Sequence, residues 1–254
     1  MMGWWLTLFS KTLPWLGPAA SLLLGVLYIL REARSPTGLG FPLDDPWIHM
    51  TFARNLASGL GWCFNPGEPV SGSSSPLWTL FLAGIHWTYA GLAARILAVK
   101  ILGLLLQAAS SALAFRIGAR LSNGALPGLA ASLAVSAAPL FSWGAVSGME
   151  IPLCVCLGLL AWHEEQEHSP RRAWTLPLSL ALCAYARPEG LLLPFFAAWS
   201  LLARERSWKR VWVLGISVFV FLLPLFVLNL SLSSSILPQT YAGKVGDSGL
   251  AGAL

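Results

Sequence analysis

The sequence contains few charged residues. Asp, Glu, Lys and Arg make up 11% of its 254 residues, against about 25% in an ordinary soluble domain. Hydrophobic residues make up 56%, and the mean hydropathy is +0.67. A water-soluble fold could not cover its surface with so few charges, which excludes a soluble enzyme and a disordered linker. A polytopic helical membrane protein remains, and the length allows roughly seven or eight crossings.

Cysteine is scarce as well. The four cysteines form no disulfide framework, which excludes a secreted disulfide module, and the Cys154-Val-Cys156 spacing is not that of a metal or redox site. Three of the four lie in apolar runs, where a cysteine is usually a small core residue. The net charge of +5 fits the lysine and arginine bias of cytoplasmic loops and requires no nucleic-acid partner.

Charged residues divide the chain into apolar runs that predict about seven transmembrane helices, at 12–30, 96–115, 121–149, 151–162, 173–186, 190–203 and 211–236. The runs 173–186 and 190–203 are short, because a helix of that length covers roughly 21 Å of a hydrocarbon core about 30 Å thick. Basic residues at their inner ends can extend to the inner surface. The Arg187–Glu189 tip between them is therefore predicted to lie below the outer surface, in a polar cavity.

The run 77–94 decides the predicted topology. If it lies at the outer surface or is re-entrant, the basic residues of the later loops fall on the cytoplasmic side with Lys11, as the positive-inside rule favours. The N-terminus is then cytoplasmic and residue 254 lies outside. The predicted fold is a single all-α polytopic module over 1–254. Its first loop, 31–95, carries juxtamembrane helices and shares the outer face with the tail 237–254.

The start of the first loop predicts a short helix. Asp45 suits an N-cap, Pro46 suits the first helical position, and Gly59 is a typical C-terminal stop. The apolar stripe between them consists of Ile48, Phe52 and Leu56. These signals predict a helix over 46–58 that lies in the membrane interface.

Asp44 and Asp45 are adjacent carboxylates beside a membrane, with His49 one helical turn further on. One interpretation is that both aspartates only cap the helix. The other interpretation is functional, because capping does not require two adjacent carboxylates. Such a pair suits a general base or could hold a divalent cation. The spacing alone leaves both interpretations open.

The segment 61–76 is rich in turn-forming residues. Asn65-Pro66-Gly67 is a strong turn signal, because proline presets the backbone for a turn and glycine accepts a positive φ. By itself the segment is typical of a surface loop.

Other charged residues fall on the predicted outer face. Glu150 lies at the end of a long apolar stretch and is either a solvated acid or a functional one. Arg187 and Glu189 either pair as a structural hairpin tip or present a phosphate-binding arginine. Lys244 follows the last predicted span, where a lone lysine is usually solvated.

Blocks in order along the chain carry a family resemblance: Asp44-Asp45, 52–61, 64–69, 75–78, Ser147-Gly-Met-Glu150, Ala186-Arg-Pro-Glu-Gly190 and Pro238-Gln-Thr-Tyr-Ala-Gly-Lys244. They resemble GT-C glycosyltransferases that use polyprenyl-phosphate sugars. The nearest branch is that of bacterial arabinofuranosyltransferase-like enzymes, with protein O-mannosyltransferases as more distant relatives. The chain departs from the family at Gln239, where asparagine is typical, and near Ala242, where a second aromatic residue is common.

The resemblance implies an integral plasma-membrane enzyme with its active site on the periplasmic or extracellular face. The acceptor hydroxyl attacks the anomeric carbon with inversion, and the lipid phosphate leaves. The implied partners are a polyprenyl-phosphate-linked sugar, a glycan, lipid or protein acceptor, and the bilayer. No cofactor is certain, although a divalent cation is compatible with the carboxylates.

The motif match also implies residue roles. Asp44 is the base, and Asp45 orients it or binds a metal or the acceptor. The remaining roles are acceptor or metal positioning by Glu150, Glu189 and His49, and donor-phosphate binding by Arg187 and Lys244.

Two other function classes stay open. A lipid-linked sugar transporter or flippase would also have several spans and a charged cavity, but the sequence shows no internal repeat and no buried charge distributed along its spans. A non-catalytic truncated remnant is the second alternative, because family members are usually much longer and the chain corresponds to their N-terminal catalytic half. The sugar, the acceptor, the lipid length and the metal dependence do not follow from the sequence.

Overall fold

The computed structural model describes residues 2–167 and 169–233. Within these residues every element longer than a single β-bridge is a helix. They are α1 (Met2–Ala33), α2 (Asp45–Ala57), α3 (Pro76–Thr88), α4 (Leu92–Leu121), α5 (Ala125–Ala137), α6 (Pro139–Val146), α7 (Ile151–Gln166), α8 (Arg172–Ala186), a 3₁₀ helix (Pro188–Leu192), α9 (Leu193–Glu205) and α10 (Trp208–Ser233). An isolated β-bridge joins Cys63 and Pro69. The predicted all-α fold is therefore confirmed for the described part of the chain.

Three helices are long and apolar enough to cross a membrane: α1 over Thr12–Ala33, α4 and α10. The pair α5 and α6 passes the same test as a fourth span. Helices α7, α8 and α9 have 16, 15 and 13 residues, fewer than the about 20 that cross a bilayer. Three or four candidate spans are therefore found among the described residues, and the spans at 151–162, 173–186 and 190–203 stay predictions.

The predicted span 121–149 is a bent pair of helices. α5 ends at Ala137 and α6 begins at Pro139, with an angle of 55° between them. A proline disfavours helical backbone in the residue before it, and Ala138 is extended, with φ −60° and ψ 118°. Pro139 is therefore the cause of the bend.

The described residues form two compact units, 2–43 with 91–167 and 169–179, and 44–90 with 180–233. The first unit contains α1 and α4 to α7, and the second contains α2, α3, α9 and α10. The carboxylates of α2 and the Arg187–Glu189 tip belong to the second unit, whereas Glu150 belongs to the first.

Small residues let the helices of the first unit approach closely. A Cβ on Gly103 would lie 2.0 Å from the Ala145 carbonyl oxygen, and one on Gly17 would lie 1.9 Å from Ser132 Oγ. The hydroxyl oxygens of Ser111 and Ser132 lie 2.8 Å apart. Because apolar surface gives little driving force between helices in lipid, such close packing and interhelical hydrogen bonds hold this kind of unit together.

A tyrosine hydroxyl bridges two backbone groups of α10, in the second unit, beside a proline. Pro224 lies inside this helix and lacks the N–H that a helical hydrogen bond needs. The Tyr185 hydroxyl donates to the Phe221 carbonyl oxygen at 3.0 Å and accepts from the Leu225 N–H at 3.0 Å. It thereby joins a donor and an acceptor on either side of the proline, which is how an apolar helix keeps its backbone groups paired.

Candidate functional site

The helix α2 carries the paired carboxylates of the first loop. It was predicted over 46–58 and is observed at Asp45–Ala57, so the prediction of a helix here is confirmed. Gly59 has φ +76° and its N–H donates to the Leu56 carbonyl oxygen at 3.1 Å. This is the left-handed glycine stop that the sequence indicates.

Asp44 and Asp45 are both exposed at the N-terminal end of α2. The N-cap residue is Asp44, with φ −77° and ψ −35°, so the predicted N-cap at Asp45 is wrong by one position. Within the described residues, the Asp44 side chain makes no capping hydrogen bond. Helix capping therefore does not account for the Asp44 carboxylate, which is consistent with the functional interpretation.

His49 lies one turn after Asp45 but is buried, with 3% exposure. Its Nδ1 is 3.1 Å from Ser73 Oγ, which is 2.8 Å from Thr79 Oγ1, and the Thr79 hydroxyl donates to the Ser75 carbonyl oxygen at 3.1 Å. All three bonds form together only if the Nδ1–H of His49 donates to Ser73 and Ser73 donates to Thr79. This polarity places a proton on Nδ1 of His49 and anchors α2 to the start of α3.

The buried face of α2 differs from the predicted stripe. Phe52 is buried, but Ile48 and Leu56 are only half-buried. The buried residues are Pro46, His49, Met50, Phe52, Ala53 and Asn55. α2 packs against α3 through this mixed face, and the placement of the apolar stripe in the membrane interface stays a prediction.

The loop after α2 is held by defined contacts. The Asn55 side-chain amide donates to the carbonyl oxygens of Cys63 at 3.0 Å and Phe64 at 2.8 Å. The predicted turn at 65–67 is confirmed, since Gly67 has φ +87° and the Glu68 N–H donates to the Asn65 carbonyl oxygen at 3.1 Å. These contacts give the loop a fixed path next to α2.

Arg187 and Glu189 form a two-point ion pair. Arg187 Nε lies 3.3 Å from Glu189 Oε2, and Nη2 lies 3.3 Å from Oε1. A Cβ on Gly190 would lie 2.3 Å from the Cys183 carbonyl oxygen, so the chain turns back tightly here. The predicted pairing is confirmed, and the phosphate-binding role of Arg187, whose side chain is 34% exposed, stays a prediction.

Glu150 follows a tight turn between α6 and α7. The Ser147 hydroxyl donates to the Gly144 carbonyl oxygen at 2.9 Å and accepts from the Met149 N–H at 3.3 Å. Gly148 has φ +84°, and Glu150 occupies the N-cap position of α7 with 3% exposure. The interpretation of Glu150 as a merely solvated acid is therefore wrong.

Lys100 is a buried lysine that the predicted site did not include. It is 0% exposed in α4, and its Nζ donates to the Val146 carbonyl oxygen at 2.7 Å. The same Nζ lies 2.9 Å from Glu32 Oε2 and 5.5 Å from the centroid of the Phe41 ring. The sequence indicated no buried charge distributed along the spans, whereas the structure has this one within the candidate span α4. A single lysine inside the apolar run 96–115 was the signal, because an ionisable residue within a span indicates a specific role.

The predicted residues are only partly brought together. Asp45 and His49 lie in α2 and Asp44 is its N-cap, the arginine and its glutamate pair with each other, and Glu150 belongs to the other unit. Lys244, with the rest of the 238–244 motif, lies outside the described residues. No group of three or more His, Cys, Asp or Glu that could hold a metal ion occurs in the part of the chain that the structure describes.

The chain is similar to the terminal beta-(1->2)-arabinofuranosyltransferase of Mycobacterium tuberculosis. The two sequences are 29% identical over 183 residues, which are 66% of this chain and 29% of the relative. No family model matches the chain, and no solved structure matches it. The match therefore spans less than a third of the relative's length. Together with the long apolar helices, this similarity supports a membrane glycosyltransferase in general terms.

Proposed function

We propose that the protein is an integral membrane glycosyltransferase that transfers a sugar from a polyprenyl-phosphate donor to an acceptor hydroxyl, with inversion. The observation that carries this proposal is the similarity to an arabinofuranosyltransferase over 183 residues. For the same reason the first sugar to test is arabinofuranose. The exposed carboxylate pair at the start of α2 supports the proposal, because it offers a base at the end of a helix.

The reaction needs a base for the acceptor and positive charge for the leaving group. The acceptor oxygen forms a bond to the anomeric carbon while the bond from that carbon to the phosphate oxygen breaks. The phosphate leaves with the bonding electrons, and the acceptor proton passes to the Asp44 carboxylate. Since a phosphate is already a good leaving group, a general acid is not required. Asp45 orients Asp44 or contacts the acceptor.

The donor phosphate is assigned to Arg187 and Lys244. A guanidinium is planar and offers several N–H donors, so it suits two-point binding of phosphate oxygens. Glu189 holds Arg187 through Nε and Nη2, which fixes the plane of the guanidinium. Positive charge close to the leaving phosphate stabilises the negative charge that develops as the bond breaks.

Acceptor positioning is assigned to Glu150 and His49. His49 is buried, so it acts from behind α2 by holding the helix through Ser73. The proposed topology places the N-terminus in the cytoplasm and Asp44 on the outer face of the plasma membrane. The acceptor is then a hydroxyl of a glycan, a lipid or a protein on that face.

The test is sugar transfer by the purified protein in lipid vesicles. The donor is polyprenyl-phosphoryl arabinofuranose with a labelled sugar, and the acceptor is a synthetic arabinofuranoside. The Asp44→Asn variant is expected to lose about 10²-fold or more in rate, as removal of a general base does. The matched control is Glu68→Gln, which neutralises another exposed carboxylate in the first loop and leaves the rate near wild type. Absence of transfer by the wild type would contradict the proposal, and a normal rate for Asp44→Asn would contradict the assignment of the base.

A lipid-linked sugar transporter is the second candidate. One observation favours it, namely the buried charge of Lys100 inside a candidate span. The same vesicles distinguish the two functions, because a transporter moves the labelled donor to the other leaflet and leaves the sugar on its phosphate. Movement of intact donor without product would support transport and contradict the glycosyltransferase.

A further inference from the structure

Lys100 is a charged side chain at a buried position that an apolar side chain could fill. It is fully buried, and so are Val99 and Leu104 on the same helix. Burying an ammonium group is unfavourable unless it is paired and hydrogen-bonded. Replacing a buried ion pair by apolar residues of similar volume is often neutral or stabilising, so stability alone does not explain this lysine. Its specific contacts point to another role.

The contacts of Lys100 converge on the turn that precedes Glu150. Val146 is the last residue of α6, and its carbonyl is one of those that a helix end leaves without an intrahelical donor. Lys100 Nζ supplies that donor at 2.7 Å. The hydroxyl of the next residue, Ser147, accepts from the Met149 N–H. The ammonium therefore fixes the point at which the turn begins.

The same ammonium also contacts the Phe41 ring, which packs against the turn. A Cβ on Gly148 would lie 2.5 Å from the Phe41 ring, so this ring lies directly on the turn. Lys100 Nζ lies 5.5 Å from the centroid of the Phe41 ring and 2.9 Å from Glu32 Oε2. The other oxygen of Glu32 accepts from the Gly40 N–H at 3.2 Å. One cation thus links the end of α1, the segment around Phe41 and the turn.

We propose that Lys100 is a positioning residue for Glu150, because it holds the turn Ser147–Glu150 in one conformation through the Val146 carbonyl and the Phe41 ring. This proposal rests on the proposed function for the consequence of the positioning, which is binding of the acceptor at Glu150. Lys100 itself is fully buried and does not contact a substrate. Its effect on the turn, however, can be measured without any substrate.

The experiment compares Lys100→Met with Gln107→Leu. Gln107 is a matched control, because it is a buried polar residue on the same helix whose side-chain nitrogen donates to the Val135 carbonyl oxygen at 2.7 Å, away from the turn. Hydrogen exchange of the full chain in lipid is measured for peptides that cover 146–150. We expect Lys100→Met to speed exchange of the Met149 amide by about tenfold or more, as loss of a charged hydrogen bond implies, and Gln107→Leu to leave it unchanged.

A second arm measures sugar transfer from polyprenyl-phosphoryl arabinofuranose. Lys100→Met is expected to raise the KM for the acceptor by about tenfold while the KM for the donor stays near wild type. Gln107→Leu changes neither constant. A general loss of stability would not produce this split, so it separates positioning of Glu150 from a merely structural role. If the wild type transfers no sugar, the proposed function fails, whereas the exchange arm still tests whether Lys100 fixes the turn.

A double variant keeps the test informative if Lys100→Met alone fails to fold. Lys100→Met leaves Glu32 without its cation, and Glu32→Gln in the same chain removes that charge. The double variant still lacks the bond to Val146, so its turn should exchange as fast as in Lys100→Met. The proposal is overturned if exchange at 146–150 stays at the wild-type rate in the folded variants, or if Gln107→Leu speeds it equally.

Discussion

The turn before Glu150 depends on a glycine at position 148, and replacing this glycine by alanine tests that dependence. Gly148 has φ +84°, which is favourable only for glycine. A Cβ built at this position lies 2.5 Å from Cδ1 and 2.6 Å from Cε1 of the Phe41 ring. Gly148→Ala therefore meets both a backbone restriction and a steric one.

The size of the effect follows from these two terms. A left-handed backbone costs a residue with a Cβ about 1–2 kcal/mol, and alanine recovers about 0.4–1 kcal/mol by restricting the unfolded chain. Carbon atoms normally approach to about 3.5–4.0 Å, so the Phe41 ring must move by roughly 1 Å, an overpacking that costs about 1–3 kcal/mol. The expected loss of unfolding free energy is about 1–5 kcal/mol, and the middle of each range gives about 3 kcal/mol.

The assay is reversible unfolding in mixed micelles of lipid and SDS, followed by circular dichroism. Gly38→Ala is the matched control, because Gly38 has φ +68° and a Cβ on it would meet no atom of the described residues within 4 Å. It should lose about 1 kcal/mol or less, from the backbone term alone. Equal losses for the two variants would refute the reasoning, since the contact with Phe41 would then have no energetic consequence.

Two further predictions concern the second unit. Tyr185→Phe leaves the backbone groups on either side of Pro224 without the bridging hydroxyl and should cost about 1–3 kcal/mol in the same unfolding assay; an unchanged free energy of unfolding would show that the bridge does not stabilise α10. Asn55→Leu removes the two bonds to the carbonyl oxygens of Cys63 and Phe64 and should increase proteolysis within the loop 58–75 while the helical circular dichroism stays constant. Unaltered cleavage of the loop would show that Asn55 does not hold it.

Local signals in the sequence predicted the elements whose ends are determined locally. The helix α2 lies within one residue of its predicted bounds because Pro46 and Gly59 act on their own backbone. The turn at 65–67 was predicted for the same reason. Pro139 was an equally local signal for the bend between α5 and α6. The prediction of one continuous span over 121–149 did not take this proline into account.

Contacts between distant residues could not be predicted in the same way. Lys100 and Glu32 are far apart in sequence, and nothing near either residue specifies the other. The buried face of α2 shows the same limit, because it includes His49, whose partner Ser73 lies in a later segment that no signal in α2 specifies. The order of apolar residues in α2 gives a stripe of Ile48, Phe52 and Leu56, but it does not specify which side packs against α3.

The central claim is that the protein transfers a sugar with inversion from a polyprenyl-phosphate donor, with Asp44 as the base. The most direct measurement is the anomeric configuration of the product that the purified protein forms from a donor of known configuration, determined by NMR. The account predicts a product of opposite configuration whose formation is lost in Asp44→Asn and kept in Glu68→Gln. A product that retains the configuration of the donor, or no product at all, would contradict it.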